Sequence, residues 1–207
     1  MLSDIVIPNN NEAEFIEISS KLNIKKIYFL YDFDEYNEEN TQKKLSSIKN
    51  HKNVNIEIGL MVNQKNINKA VQQSRFLVAR SSDKDRIFIE GKKIRLVYGF
   101  EEISRKDYLH QRASGLNHII CELAKKNNVA VGFSYSLLSN KDENSKSIMI
   151  GRIIQNINLC RKYNVKTVIG SFSENPFDLR SVHDIMSLFA ILGMDGGMIK
   201  DSTSFDL

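Results

Sequence analysis

Seven short apolar segments, spaced along the whole chain and separated by amphipathic or polar segments, are the feature that most restricts its fold. Each is rich in β-branched or aromatic residues and is bounded by polar residues, which indicates buried strands. They occupy residues 4–8, 25–31, 54–62, 75–81, 93–100, 129–138 and 166–171. Strands that alternate with helices in this way predict a parallel sheet covered by helices, an α/β fold.

The number of strand–helix units favours a closed barrel over an open sheet. At 207 residues the chain is shorter than the ~250 residues typical of a TIM barrel. The segment "SDKDRIFIEGK" between the fourth and fifth strands has room for a short helix or an extra strand only. We therefore predict one domain over residues 1–207, a compact and irregular TIM-like (β/α) barrel. It has seven or eight strands, the eighth being "GGMIKDS", and its last unit is truncated.

The leader pattern, the apolar runs and the cysteines of the sequence predict where in the cell the protein lies. Its first residues have no basic and apolar leader pattern, and no apolar run approaches the ~18 residues that span a membrane. Both cysteines, Cys121 and Cys160, fall in helical patterns and are expected to be reduced core residues. These observations predict a cytoplasmic protein with no membrane contact.

Catalytic motifs are scarce. No His-x-His follows the first strand, and there is no HExxH, CxxC, GxSxG or Walker loop. Asp32 and Asp34 flank Phe33 in an acidic loop and could hold a cation, but we favour the alternative of a solvated acidic loop. The four histidines are scattered: His51, His110, His118 and His183. We predict no catalytic residue, no metal site and no cofactor in this chain.

Charge is concentrated in the middle of the chain. Residues 61–112 hold 12 Lys and Arg against 6 Asp and Glu, whereas residues 1–60 hold 7 against 10. A basic face attracts polyanions through phosphate contacts and counterion release. Lysines that only keep the protein soluble are the alternative, and composition alone does not decide between the two.

Residues 104–127 predict one long helix. Ser104, with Asp107 three residues later, fits a helix cap. Arg105, Lys106 and Arg112 would lie near the helix start, where cations oppose the helix dipole, and this placement suggests an anionic partner. Salt bridges to Glu101, Glu102 and Asp107 are the alternative. A core stripe recurs at helical spacing: Leu109, Ala113, Leu116, Ile120 and Leu123.

Two segments resemble a known family. "RKDYLHQRASGLNHIICELAKKNNVAVGF" (105–133) is similar to the signature segment of ribonuclease P protein component 3, the archaeal family related to the eukaryotic 30-kDa subunit. "SENPFDLRSVHDIMSLFAILGM" (173–194) is similar to a second segment of that family, in the expected order. Here Phe177 stands where the family usually has tryptophan, and Val182 replaces a usual proline.

The resemblance implies a fold and a role. The family fold is a shortened TIM-like barrel, akin to the metal-dependent polymerase-and-histidinol-phosphatase group but without its metal ligands. This chain would then be an RNA-binding subunit of the ribonuclease P holoenzyme, an endoribonuclease that matures the 5′ end of tRNA. Its partners would be ribonuclease P RNA, protein component 2 and, through the holoenzyme, precursor tRNA. Catalysis and Mg²⁺ use would belong to the RNA subunit.

The candidate RNA contacts combine the resemblance with position in the predicted barrel. Asp107 and Asp184 are expected to orient arginines, with Asp184 pairing with Arg180 in the first turn of a helix over residues 178–193. For each candidate, a surface salt bridge is the alternative. The candidates are Arg80, Arg105, Lys106, Arg112, Lys125, Arg180 and Lys200.

Two other functions stay open at this point. A metal-dependent phosphoesterase of the polymerase-and-histidinol-phosphatase type would need His and Asp ligands that converge at the strand ends. A protein-binding adaptor would show no affinity for structured RNA.

Overall fold

The sheet has seven parallel strands. The computed structural model describes residues 3–48, 54–102, 106–107, 112–139 and 142–205. Each strand is a run of apolar residues, and the sheet order follows the chain order, β1 to β7. The strands are β1 (Ser3–Val6), β2 (Lys26–Asp32), β3 (Asn55–Met61), β4 (Leu77–Arg80), β5 (Leu96–Tyr98), β6 (Ala130–Ser134) and β7 (Thr167–Gly170).

Helices connect the strands, as the alternating pattern predicts. The segment between β4 and β5 forms the short helix that its length allows. Among the described residues, no helix is both long and apolar enough to cross a bilayer. The helices are α1 (Glu12–Lys21), α2 (Glu38–Ser47), α3 (Ile67–Ala70), α4 (Asp85–Glu90), α5 (His118–Asn127), α6 (Ser136–Ser139), α7 (Glu143–Tyr163), α8 (Val182–Ile191) and α9 (Gly196–Thr203).

The sheet nearly closes on itself where β1 meets β7. The Phe172 N–H donates to the Ile5 carbonyl at 2.7 Å, and the Ile7 N–H donates to the Ser173 carbonyl at 2.8 Å. The buried carboxylate of Asp4 accepts the Ser171 N–H at 2.6 Å and also the Ser171 hydroxyl. Seven strands therefore complete a TIM-like barrel, which confirms the predicted fold class.

The predicted eighth strand is wrong. Residues 196–203 form α9, and Asp195 caps it by accepting the Met198 N–H at 2.9 Å. Because β7 bonds directly to β1, there is no gap in the sheet for another strand. Helix α9 instead packs against β7, where the Ser202 and Thr167 hydroxyls are hydrogen-bonded at 2.5 Å.

The core has two layers, as alternation along parallel strands requires. Tyr28 and Leu30 of β2 point into the barrel with Phe205, whose ring stacks on Tyr28 at 5.2 Å between centroids. Ile27 and Phe29 point outward against the helices. Cys121 and Cys160 are free, buried thiols in this outer layer, as predicted.

The long helix predicted from Ser104 is also wrong, although Ser104 itself lies outside the described residues. Helix α5 begins after Asn117, whose side chain accepts the Ile120 N–H at 3.0 Å. Residues 112–117, defined here as the 112–117 loop, have no helical structure. Lys106 and Arg112 therefore do not lie at the start of α5, and the dipole of α5 gives no reason for their charge.

Candidate nucleic-acid interface at the barrel mouth

A cavity of about 600 Å³ lies at the carboxyl ends of β4 to β7. Its charged lining consists of Arg80 and three carboxylates, those of Glu102, Glu174 and Asp178. The interior of this mouth is therefore acidic, and a polyanion can approach only at its rim. The other lining residues are Ile7, Tyr98, Ser134, Ser136, Leu137, Phe172 and Asn175.

Arg80 is tied to the mouth by Glu102. Its Nε and Nη2 both donate to Glu102 Oε2, at 3.0 and 2.5 Å. The chain reaches this position through Gly99, whose φ of +82° lets β5 turn sharply, and a Cβ there would lie 3.2 Å from Glu102 Oε2. The arginine side chain is mostly exposed, so the pair contributes roughly 0–1 kcal/mol to stability.

The predicted site loop after β7 forms a rigid turn, residues 175–181, called the 175–181 turn below. It contains one 3-10 helical turn over Pro176–Asp178, in which Asn175 Oδ1 accepts the Phe177 N–H at 3.1 Å. Pro176 and Leu179 are buried and anchor the turn. Helix α8 starts only after this turn, so the helix predicted from residue 178 begins four residues later.

Arg180 precedes α8 and does not lie in its first turn. Its Nη1 donates to the carbonyls of Leu179 at 2.8 Å and Phe177 at 3.2 Å, and its guanidinium carbon lies 5.9 Å from the Tyr135 ring centroid. The predicted pair with Asp184 is wrong, because that carboxylate accepts the Ser181 hydroxyl at 2.7 Å at the cap of α8. Within the described part of the chain, Arg180 has no carboxylate within salt-bridge distance.

Asp107 does hold an arginine, as predicted. It accepts the Ala113 N–H at 2.8 Å and Arg112 Nη1 at 3.4 Å, and Arg152 Nε and Nη2 at 3.0 and 2.9 Å. Partial burial opposes ionisation of Asp107, but the Ala113 N–H and the two guanidinium groups outweigh it and hold its pKa below the ordinary value. This carboxylate therefore joins the 112–117 loop to α7.

Helix α7 supports the same loop at two other points. The side-chain amide of Gln155 accepts the Arg112 N–H and donates to the Arg112 carbonyl, both at 3.0 Å. The Arg112 guanidinium lies so close to Gly151 that a Cβ there would be 2.8 Å from its carbon. Arg112 is thus held on the surface of α7, with its charge shared by Asp107.

A buried polar group lies beneath this loop. Glu101 accepts Asn156 Nδ2 at 2.7 Å, and its backbone carbonyl accepts Arg152 Nη1 at 2.7 Å. Complete burial raises the pKa of Glu101 to about 7, against the opposing effect of the Asn156 hydrogen bond. The group positions the loop and does not reach solvent.

Sequence reasoning missed Arg152, Asn156 and the role of Glu101. The buried residues of α7 recur at steps of four, namely Arg152 with Asn156 and Ile153 with Ile157. A charged and an amide side chain on the core stripe of an amphipathic helix must be hydrogen-bonded when buried. That mismatch was the signal in the sequence for a buried polar network.

The remaining predicted RNA contacts do not converge. Lys106 is exposed beside Asp107, and Arg105 lies outside the described residues. Lys125 is in the last turn of α5, just before β6 begins, and Lys200 is on α9 two residues before Ser202, which bonds to the first residue of β7. Lys125 and Lys200 therefore lie at the amino end of the barrel, opposite the mouth, and Lys200 is not at a strand end as predicted.

The polar groups near the mouth include hydroxyls, carboxylates and arginines. Across the described ranges, no three His, Cys, Asp or Glu side chains are grouped to hold a metal ion. Asp32 and Asp34 are exposed, and Asp32 accepts the Asp34 N–H at 2.9 Å. At the mouth the Ser134 and Ser136 hydroxyls lie 2.9 Å apart, and Ser136 donates to the Phe172 carbonyl. Arg180 offers a cationic contact near the mouth, and Arg112 offers one on the outer surface of α7.

Comparison with known proteins gives one consistent family. The model of the family described as RNase P subunit p30 matches residues 1–204. Ribonuclease P protein component 3 from Methanosarcina acetivorans is 31% identical over 84 residues, covering 41% of this chain and 35% of the relative. The same protein from Thermococcus gammatolerans is 30% identical over 121 residues, covering 58% of this chain and 53% of the relative. The matches thus span about a third to a half of these relatives.

The fold comparison agrees. A chain in a cryo-EM structure of archaeal ribonuclease P with mature tRNA superposes with a TM-score of 0.77 at 17% identity. The superposition covers 95% of this chain and 85% of that chain. At this identity the likeness concerns the fold, and it extends over nearly the entire barrel.

Proposed function

The chain belongs to the RNase P subunit p30 family, and from that membership we propose that it is an RNA-binding protein subunit of ribonuclease P. It binds the catalytic RNA and supports the 5′ maturation of precursor tRNA. The family match over residues 1–204 is the observation that carries this proposal, because it includes the whole barrel together with Arg112 and Arg180.

The geometry supports binding over cleavage. Arg180 is fixed by carbonyl oxygens and, within the described residues, has no carboxylate partner, so its charge is available to an RNA phosphate. Its planar guanidinium can make bidentate contacts that a lysine cannot. Cleavage is assigned to the RNA subunit with its Mg²⁺, and this chain contributes no metal ligand to that step.

Partners and location belong to the same proposal. We assign ribonuclease P RNA and ribonuclease P protein component 2 as direct partners and a cytoplasmic location. A pull-down of component 2 by the purified chain, with and without RNA, tests the protein partner. Cell fractionation tests the location.

Reconstitution tests the function. The RNA subunit and the other protein subunits are assembled with and without this chain, and precursor-tRNA cleavage is measured at limiting Mg²⁺. We expect the chain to increase cleavage and to bind the RNA subunit less tightly as salt rises. Stoichiometric metal with phosphoesterase activity in the absence of RNA would support the phosphoesterase instead. No affinity for the RNA at any salt concentration would support the protein-binding adaptor.

A further inference from the structure

Phe177 is an exposed aromatic ring in an otherwise polar environment. It is 74% exposed, and within the described ranges it is the one aromatic among the strongly exposed large apolar side chains. Its neighbours in the 175–181 turn include Asn175, Asp178 and Arg180. A protein-docking surface would be expected to offer a contiguous apolar patch, which this turn does not provide.

The ring is presented on a rigid support. The Asp178 N–H donates to the Asn175 carbonyl at 3.0 Å, and the Leu179 N–H donates to the Pro176 carbonyl at 3.2 Å. Buried Pro176 and Leu179 hold both ends of this short helical turn. Because the backbone is already ordered, a ligand that contacts Phe177 loses little free energy in ordering it.

A cation is fixed to the same turn. Arg180 Nη1 bonds to the carbonyl of Phe177 itself, at 3.2 Å, and to that of Leu179. Its Nε and Nη2 have no hydrogen-bond partner within the described part of the chain. A flat apolar ring and a guanidinium with available donors therefore lie on one turn at the rim of the mouth.

We propose that the 175–181 turn binds one unpaired nucleotide of RNA, with the base stacked on Phe177 and its phosphate on Arg180. The proposal rests on the RNA-binding function above and adds a contact of a different kind to it. Bases in a duplex are already stacked on each other, so an aromatic platform selects a base in a loop, bulge or end.

The acidic mouth agrees with this placement. Glu174 and Asp178 carry negative charge at the edge of the cavity next to the turn. They repel phosphates from the cavity, so the RNA backbone passes on the Arg180 side of the turn. A base has no net charge and can approach the ring without this repulsion.

The sequence contains no tryptophan, which permits a direct test. Phe177→Trp places a single indole on the turn, and Ile191→Trp places one on α8 at a side chain that is 83% exposed. On titration with the ribonuclease P RNA subunit, we expect strong fluorescence quenching for Phe177→Trp and little for Ile191→Trp. Equal signals in the two variants would overturn the proposal. So would a signal that appears with the partner proteins alone, which would make the turn a protein contact.

Salt dependence separates stacking from charge. Phe177→Ala should weaken binding to the RNA subunit roughly tenfold with an unchanged log–log salt slope, since stacking releases no counterions. Phe177→Trp should retain the parent affinity, whereas Phe177→Leu, apolar but without a ring, should not. Parent affinity in Phe177→Ala, or full rescue by Phe177→Leu, would overturn the proposal. A parent chain that fails to bind the RNA would instead refute the proposed function, and thermal melts confirm that each variant is folded.

Discussion

Two arginines on the surface of the same barrel are held in opposite ways. Arg112 shares Asp107 with the buried Arg152 and lies on α7, so its charge is partly neutralised within the protein. Arg180 is held by two carbonyl oxygens and, among the described residues, by no carboxylate. An ion-paired arginine thus positions a loop, whereas an arginine bonded to carbonyl oxygens keeps its charge available for a ligand.

The difference extends below the surface. Beneath Arg112 lies a buried network of Arg152, Glu101 and Asn156, whose members depend on each other for hydrogen bonds. Beneath Arg180 the support is apolar, from Pro176 and Leu179, together with the ring of Tyr135. Substitutions under Arg112 should therefore change stability, and substitutions at Arg180 should mainly change binding.

The largest effect is expected for Arg152→Ala. This side chain is 95% buried, and its loss would leave the Glu101 carbonyl without its side-chain donor and Asp107 with only the Ala113 N–H and Arg112. A hydrogen bond to a charged group contributes about 1.5–3 kcal/mol, so losing the bonds of Arg152 to Asp107 and to the Glu101 carbonyl should lower the free energy of unfolding by roughly 3–5 kcal/mol. Arg152→Lys should restore only part of it, because lysine lacks the planar fork. Denaturant unfolding measures both.

Arg161→Ala is the matched control on the same helix. Arg161 is exposed and donates to the Gly193 carbonyl at 3.2 Å, so its loss should cost no more than about 1 kcal/mol. Arg180→Ala should also fall near this value. If Arg152→Ala unfolds like Arg161→Ala, the network does not hold the 112–117 loop.

The next effect is a dependence of stability on pH. A glutamate in the unfolded chain ionises near 4.5, whereas burial raises the pKa of Glu101 to about 7. Between these values the folded state binds a proton that the unfolded state has released, so stability falls as pH rises. Over this pH range, Glu101 lowers the free energy of unfolding by on the order of 3 kcal/mol. Asp4, with its pKa raised by burial to about 6, acts in the same direction at lower pH.

Glu101→Gln tests this linkage, since glutamine keeps the hydrogen bond with Asn156 but has no proton to lose. We expect the variant to lose most of the fall in stability that Glu101 causes between about pH 4.5 and 7, while the fall that Asp4 causes between about pH 4 and 6 remains. Thermal or denaturant unfolding across this range measures it. Parallel pH profiles for parent and variant would show that Glu101 is already ionised in the fold.

A smaller effect separates the two arginines in RNA binding. Each lost phosphate contact lowers the magnitude of the log–log salt slope by roughly 0.7–0.9. We expect this change for Arg180→Ala and a smaller one for Arg112→Ala, whose charge Asp107 already shares. Arg86→Ala, an exposed arginine paired with Glu90 on α4, is the control and should leave the slope unchanged. Equal changes for Arg112 and Arg180 would mean that ion pairing in the free protein does not decide which arginine binds.

The sequence predicted the barrel because its strands are local features. Runs such as "KKIYFLY" and "KTVIGS" are apolar and β-branched over their own length, and their order determines a parallel sheet. The closure of the sheet between β7 and β1 could not be predicted from the sequence, because it depends on Asp4 accepting hydrogen bonds from Ser171, a residue 167 positions away.

The start of α5 was mispredicted for a similar reason. Ala113 and Leu116 fit a helical stripe and are indeed buried, but their backbone is not helical. The Ala113 N–H donates to Asp107, and the Gly115 N–H donates to the Phe100 carbonyl at 2.9 Å. The side-chain amide of Gln155 accepts the Arg112 N–H and donates to the Arg112 carbonyl. These contacts replace the helical hydrogen bonds, and no local sequence pattern predicts them.

The smallest effects are expected for Lys125 and Lys200, at the end of the barrel opposite the mouth. Both side chains are exposed, and Lys125 lies in the last turn of α5, where a cation stabilises the helix by about 0.3–1 kcal/mol. An RNA that covers the rim near Arg180 reaches this end only if it also wraps around the outer helices. We therefore expect Lys125→Ala and Lys200→Ala to change unfolding by no more than about 1 kcal/mol and the salt slope by less than Arg180→Ala does. A loss of slope as large as that of Arg180→Ala, in either lysine variant, would show that RNA contacts both ends of the barrel. Arg180 and Arg112 would then account for only part of the interface.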